Sequence, residues 1–462
     1  MRISTKVWES KKIMNCDRQS NSNTSYNCCY VISHVNSAVK KLAASAFITI
    51  LAVGSLSAAD FFKNEVFSDL PKDKLYPQGQ IFPFTGYSSP APDKMKAMGF
   101  TATGPTYGKG QAKLAENTAK VGLKNVWQLY VKYNDVLING KPGLAKAAKI
   151  AGKEGIDWAK MEKCIADTVK EIIAQHGDTI GWWALGVEEV RWWNSNEMKY
   201  LAAAYKAIKK ADPQQRPMFV YMPGHYGAGG MRKYMPYMDL LAQGYYPNFG
   251  NRVGYRYWCE NVQATVKGFE PDRPMIAVTE MFKEPKTDED YKLIGAYVRH
   301  DVWMALIHKF KGIVVFSFGN RRNFDSYGEY LFQYSEVAKE LTREGGLGNV
   351  VLFGEDMNEL KLEIIEGVKT VTIQKKMGKP AKMVDFKYPT LKWRDLRHNS
   401  GRYLFAASSS KEPVEAVLKG LPKQPVKVIN AANGQLLGET SDGTFKLQFG
   451  PWGVNLLKFE AK

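Results

Sequence analysis

Thr179-Ile-Gly-Trp-Trp-Ala-Leu-Gly-Val-Glu-Glu-Val-Arg-Trp-Trp193 is the stretch that decides how this chain folds. A short apolar run stops on two adjacent carboxylates, Glu188 and Glu189. Four tryptophans surround them: Trp182, Trp183, Trp192 and Trp193. Met198, Leu201, Ala202, Tyr205 and Ile208 then recur three or four apart, the spacing of one helix face. Asn194 and Glu197 stand three apart at its start, as a capping pair does. The order is therefore strand, acidic loop, helix. In parallel α/β folds the chemistry sits where a strand ends and feeds a helix. A lone glutamate there is ordinarily a solvated strand end. A pair set among four flat apolar rings points to function.

The same unit recurs on both sides of this stretch. Apolar runs at residues 80–86, 99–104 and 124–131 precede it, and runs at 217–222, 239–246, 274–280 and 312–318 follow. Helical patterns fall between them, notably 158–175, with Met161, Ile165, Val169 and Ile172 on one face, and 327–343. Thr287 and Asp290 form a capping pattern for a helix running to Lys309. Eight such units in about 265 residues predict a (β/α)8 TIM barrel. Continuous apolar runs, without strict alternation, suit strands covered on both faces. After Gly345-Gly346 the texture changes to short runs at 350–353, 360–365, 369–374, 403–407, 414–418, 426–429 and 445–449. Asn433-Gly434 and Asp442-Gly443 supply turn signals. Residues 346–462 are thus expected to form a smaller all-β antiparallel sandwich after a barrel spanning 60–345.

The first 59 residues are set apart. Lys40 and Lys41 precede an apolar run from Leu42 to Leu56, and Ser57 and Ala59 supply small residues before Asp60. That is the pattern of a signal peptide cleaved near Ala59, which predicts a secreted or periplasmic protein with no membrane span after its removal. The run is too short for a confident span. Residues 1–34 read as an over-long gene start. The formal net charge is +18, of which residues 1–59 carry seven basic and two acidic groups, so the remainder is still basic. Cys164 and Cys259 would be the cysteines left, and their spacing suits two buried thiols better than a disulfide or a metal knuckle.

Glu188 or Glu189 ends the fourth strand, and Glu280 ends the seventh. In a closed eight-stranded barrel these strands reach the same mouth, and paired carboxylates are the machinery of glycoside hydrolysis. On these residues the chain resembles the retaining (β/α)8 glycoside hydrolases of the clan A type. The segments Gly401-Arg-Tyr-Leu-Phe-Ala-Ala-Ser408 and Phe445-Lys-Leu-Gln-Phe-Gly-Pro-Trp-Gly-Val454 look like the accessory domains that follow such barrels. The resemblance implies Glu188 as acid/base and Glu280 as nucleophile. Tyr245 or Tyr246 matches a tyrosine that hydrogen-bonds the nucleophile. Val187 stands where the clan usually has Asn, Phe316 and Phe318 stand near a usual Trp, and no basic residue is evident beside Thr106. Substrate contacts are expected from Trp183, Glu189, Arg191, Trp192, His225, Tyr245, Tyr246, Phe318 and Arg321.

The loops predicted at the mouth also carry Arg252, Arg256, Lys283 and Arg322. Two readings stand for these charges: a grip on an acidic or sulfated glycan, or solvated loop charges on a basic protein. His300 and His308 are eight apart and make no metal pair; no zinc or calcium motif appears, and no cofactor is expected. The glycine-rich run 224–230 lacks the ending of a phosphate loop. Nothing suggests nucleic acid. The carbohydrate partner admits a rival class, a binding barrel without turnover, and a second, a purely structural surface protein.

Overall fold

The computed structural model describes residues 61–62, 82–89, 91–106, 110–133, 136–138, 155–185, 190–281, 284–316, 318–319, 325–378, 380–399 and 401–462. The signal segment, Glu188, Glu189, Lys283, Arg321 and Arg322 lie outside them, and Val187 does too.

The first half alternates strands and helices. The strands are β1 (Phe84–Gly86), β2 (Ala102–Thr103), β3 (Lys124–Leu129), β4 (Ile180–Leu185), β5 (broken into Met218–Phe219 and Met222–Pro223), β6 (Leu241–Gly244), β7 (Met275–Glu280) and β8 (Phe310–Phe316). Parallel ladders join β2, β3, β4 and the first piece of β5, and then the second piece of β5, β6, β7, β8 and β1. A bridge between Gly86 and Gly104 joins β1 to β2 and closes the ring. The spatial order equals the sequence order, as in a TIM barrel.

Each strand is followed by its helix: α1 (Pro92–Ala97), α2 (Gln111–Lys120), α3 (Trp158–His176), α4 (Ser195–Ala211), α5 (Ala228–Tyr234), α6 (Val253–Phe269), α7 (Ile294–Ile307) and α8 (Tyr327–Thr342). Their starts follow local chemistry. Asn194 Oδ1 accepts the Glu197 amide at 3.1 Å at the start of α4. Thr287 Oγ1 accepts the Asp290 amide at 3.1 Å, but the helix it caps is a short one, Asp288–Lys292, that stops at Leu293 before α7 begins, so the single helix expected from Thr287 to Lys309 is two. Asp157 caps α3 in the same way through Lys160. Each cap satisfies an amide that the helix leaves unpaired. The expected reciprocal bond from Glu197 is not made; its carboxylate binds Arg191 instead.

The second half is antiparallel: β9 (Lys361–Glu366), β10 (Thr370–Met377), β11 (Lys382–Pro389), β12 (Leu391–His398), β13 (Gly401–Ser408), β14 (Val414–Lys419), β15 (Val426–Asn430), β16 (Leu436–Thr440), β17 (Thr444–Phe449) and β18 (Val454–Ala461). One sheet runs β12-β13-β18-β15-β16, with Glu355–Asp356 added beside β12; a second runs β9-β14-β17. Leu404, Ala406, Leu457 and Phe459 of the first sheet share a core with Val414, Ala416, Leu418, Leu447 and Phe449 of the second. This is a two-sheet sandwich.

Period two explains why β13 is buried along almost its whole length. Leu404 and Ala406 face the sandwich core, while Tyr403, Phe405 and Ala407 belong to the barrel core. Trp303 of α7 meets Phe405 with ring centroids 5.1 Å apart. Helix α7 is consequently covered on both sides, by β8 and by β13. Its apolar residues accordingly occupy all faces and not one stripe, as a buried helix requires.

Three sequence expectations are corrected. The apolar run 350–353 is not a strand but part of helix α9 (Gly348–Phe353), with Val350, Val351 and Leu352 in the barrel core. Four apolar residues carry no period that separates helix from strand. Gly348 permits the tight turn, since a Cβ there would sit 2.5 Å from the Leu341 carbonyl oxygen. Phe61, numbered with the barrel segment, packs instead in the sandwich core, edge-on to Phe459 and beneath the Arg402 guanidinium, 4.7 Å from its ring. Of the two cysteines, Cys259 is buried and Cys164 only half-buried; both are free thiols.

Candidate functional site

The C-terminal ends of β5 to β8 and the turn after β1 bring one carboxylate and a group of aromatic rings together. Glu280 is the last residue of β7 and pairs in register with Phe316, the last of β8. Phe316 is flanked by three tyrosines. Tyr246, just after β6, stacks on it at 5.3 Å and 18°; Tyr221, in the break of β5, stacks at 6.2 Å and 15°; Tyr87, after β1, meets it edge-on at 5.8 Å. Gly244 makes this possible. A Cβ there would lie 2.7 Å from the Tyr246 hydroxyl oxygen and 3.0 Å from the Val278 carbonyl oxygen.

Glu280 is held from behind. The Tyr334 hydroxyl of α8 donates to its backbone carbonyl at 2.6 Å, and both carboxylate oxygens are shielded from solvent. Burial pushes the Tyr334 and Tyr246 phenols well above the ordinary range, and the negative charge of Glu280 adds to both shifts. Tyr330, one helical turn before Tyr334, is raised by burial first and then by Glu280. All three phenols therefore stay protonated beside the carboxylate, as neutral hydroxyls able to donate hydrogen bonds.

A second aromatic group stands on the loops after β4 and β5. Trp193 is 60% exposed and Trp192 38% exposed, with their rings in edge contact at 5.5 Å. Trp193 also leans on Tyr226 at 5.7 Å, and Tyr226 carries exposed His225 edge-on at 4.7 Å. Gly230 leaves room for Trp192; a Cβ there would stand 3.1 Å from its ring. An indole fixed by ring contacts yet open to solvent offers a flat apolar face at small entropic cost.

Several residues expected here are used elsewhere. Trp183 is fully buried, and its indole donates to Asp212 Oδ2 at 2.8 Å between β4 and α4, so it belongs to the strand–helix packing. Asp212 also binds Arg216 at 2.6 Å, which makes the cluster a buried, compensated ion pair. Tyr245 turns outward, stacks on Trp258 at 14° and accepts a bond from Lys375 Nζ at 3.3 Å. Tyr246 is the one that turns toward the mouth. Phe318 is buried against Phe100 at 4.7 Å, and it is Phe316 that stands at the mouth. Glu188, Glu189 and Arg321 fall outside the described residues.

The basic residues tell the same story. Arg191 donates from its backbone and its guanidinium to the buried Glu197, an arrangement that clamps the loop to α4 and raises the arginine's pKa. Arg252 is buried, 3.3 Å from Asp301 and 3.9 Å from the Tyr297 ring centroid. Arg256 is buried beside Glu260 and donates to the Pro389 carbonyl of the sandwich half. These three are structural, and the acidic-glycan reading loses its support from them.

Sequence reasoning missed Tyr330 and Tyr334 as companions of Glu280, and Tyr87 and Tyr221 as companions of Phe316. Tyr330 and Tyr334, four apart on one helix, were the one legible sign. Among the described residues no group of three His, Cys, Asp or Glu could hold a metal ion, and no helix is long and apolar enough to cross a membrane.

No protein-family model matches the chain, and no curated protein does. Among solved structures it is similar to an α-amylase from Geobacillus thermoleovorans, at 12% identity and a TM-score of 0.46, over 83% of this chain and 97% of the other. It is also similar to a GH27 β-L-arabinopyranosidase from Geobacillus stearothermophilus, at 13% identity and 0.48, over 84% and 99%. A GH30 endoxylanase from Clostridium papyrosolvens is similar at 9% and 0.45, over 84% and 98%. The class of the fold, a TIM barrel followed by an antiparallel sandwich, rests on the strand order itself.

Proposed function

We propose that the protein is an exported glycoside hydrolase that cleaves a poly- or oligosaccharide with retention of anomeric configuration. The observation that carries this reading is Glu280 at the end of β7, shielded and ringed by Tyr246, Tyr330 and Tyr334 at the mouth of a closed barrel. Glu280 attacks the anomeric carbon, and Glu188 protonates the leaving oxygen and then activates water. Double displacement calls for the two carboxyl groups roughly 5–5.5 Å apart. Tyr334 holds the Glu280 backbone, and the neutral phenols of Tyr246 and Tyr330 are the donors nearest the nucleophile's charge, available to it and to sugar hydroxyls. Trp192 and Trp193 offer faces on which further sugar rings stack, which favours a substrate longer than one unit. Export follows from the signal pattern ending near Ala59.

The test is a panel of neutral and acidic glycans with products followed by proton NMR as they form. Retention in the first-formed anomer is expected; inversion removes Glu280 as nucleophile. A binding barrel without turnover is the second reading, and Val187 in place of Asn favours it. Glycan binding with no product from any member of the panel would decide for it.

A further inference from the structure

Strands β10 and β11 form a two-stranded ribbon that joins no other sheet among the described residues. Its base is anchored on α6. Phe386 meets Tyr257 with ring centroids 4.8 Å apart, and a Cβ on Gly254 would lie 3.2 Å from Ile373 Cδ1. Lys375 stands over the rings of Tyr245 and Tyr257 at 5.3 and 5.2 Å. Beyond that point the ribbon runs clear of the barrel.

The outer rungs are Lys375↔Val384, Lys376↔Met383 and Met377↔Lys382. Side chains alternate between faces, so Met377 and Val384 lie on one face and Met383 on the other. Met377 is 45%, Met383 55% and Val384 39% exposed. Lysines interleave with them: among the described residues of 375–387, Lys375, Lys376, Lys382 and Lys387 stand against a single acid, Asp385. Among the described residues Lys376, Lys382 and Lys387 form no ion pair.

We propose that this ribbon tip inserts into the headgroup layer of an anionic lipid surface. A projecting tip that is apolar on both faces cannot be covered by one flat partner, whereas lipid closes around it. Long lysine stems let the ammonium groups reach phosphates while the methionines and Val384 sit deeper. A hydrophilic polyanion would satisfy the lysines and leave the apolar side chains exposed. Strand addition by a protein is opposed by the lysines along the ribbon's edges.

The test is co-sedimentation of the purified protein with vesicles of phosphatidylcholine alone and of phosphatidylcholine mixed with phosphatidylglycerol, with soluble heparin as the polyanion probe. Binding to the mixed vesicles alone is expected. It should weaken as ionic strength rises from about 0.1 to 1 M, where the Debye length falls from ~10 to ~3 Å. Lys376→Gln with Lys382→Gln should lower partition roughly 25-fold, about fivefold per lysine. Met377→Ser with Met383→Ser should lower it at least roughly tenfold at unchanged charge. The charge-matched pair Lys170→Gln with Lys267→Gln, away from the tip, should stay within about twofold. All four substituted tip positions are solvent-facing or project beyond the barrel, and melting temperatures should match the parent. Absence of vesicle binding, equal binding to neutral vesicles, heparin binding without vesicle binding, or tip variants that bind like the parent would each overturn the proposal.

Discussion

The ring of Tyr246 lies on that of Phe316, centroids 5.3 Å apart and planes 18° from parallel, which fixes the phenol beside Glu280 across two barrel strands. Gly244 is the residue that allows it. Gly244→Ala would drive a Cβ against the Tyr246 hydroxyl and the Val278 carbonyl. Overpacking of this kind costs typically about 1–3 kcal/mol. The expected outcome is a lowered melting temperature together with a fall in kcat. A variant that is destabilised yet fully active would separate Tyr246 from the reaction.

The two carboxylates divide their work in a way kinetics can read. Glu280→Gln should remove turnover by roughly 10⁴-fold or more on every substrate, since the covalent step is lost. Glu188→Gln should cost roughly 10²–10⁴-fold on natural glycosides but spare the first step for leaving groups that need no proton. If aryl glycosides with good leaving groups suffer equally in both variants, this assignment of roles is wrong. Should Glu189→Gln and not Glu188→Gln show the leaving-group dependence, the acid is the neighbouring residue.

Trp193 is open to solvent and buries little of its ring in the fold. Trp193→Ala should therefore leave stability within about 0.5 kcal/mol, as exposed positions do. Loss of a stacking face should weaken binding by on the order of 1 kcal/mol, about a fivefold rise in KM for a long oligosaccharide. KM for a single-sugar aryl glycoside should not move. An equal rise for both substrates would place Trp193 at the cleavage point.

Phe61 fills the sandwich core from a position far from it in sequence, between Phe62, Phe459 and Arg402. Phe61→Ala should cost about 3–5 kcal/mol, the usual range for a buried phenylalanine. Denaturant titration read on the sandwich would measure it. A change under about 1 kcal/mol would mean the residue contributes little to that core.

His308 is buried, with its Nδ1 3.1 Å from Gln263 Oε1, and burial first, then Lys392 and Arg256, holds its pKa well below 6.5. His300 is lowered as well, by burial. In both cases the unfolded chain binds the proton more readily. Stability is thus fully present above about 6.5 and falls as pH drops toward the folded pKa, by up to about 1.4 kcal/mol per pH unit for each group. Melting temperature against pH should show this decline, and His308→Gln should flatten it. A pH profile unchanged by the substitution would exclude His308 as its source.

Local patterns carried much of the architecture. The eight apolar runs, the caps at Asn194 and Thr287, and the carboxylate closing the seventh strand depend on neighbours within a few residues, so they are legible in sequence. So are the turn pairs Asn433-Gly434 and Asp442-Gly443 of the C-terminal sheets, whereas the strands Lys382–Pro389, Leu391–His398, Leu436–Thr440 and Val454–Ala461 carry no such local mark. What the sequence left open was decided by contacts between residues distant in the chain. Tyr245 and Tyr246 are adjacent and chemically alike, and only the packing of Trp258 and Lys375 on one side and Phe316 on the other separates them. Arg191, Arg252 and Arg256 are loop or helix-start cations by sequence, yet Glu197, Asp301 and Glu260 take them up. Residues 350–353 became helix because the barrel core, not their own period, supplied the surface they bury against. A charge or an aromatic ring has no function until its partner is known, and partners are chosen by the tertiary fold.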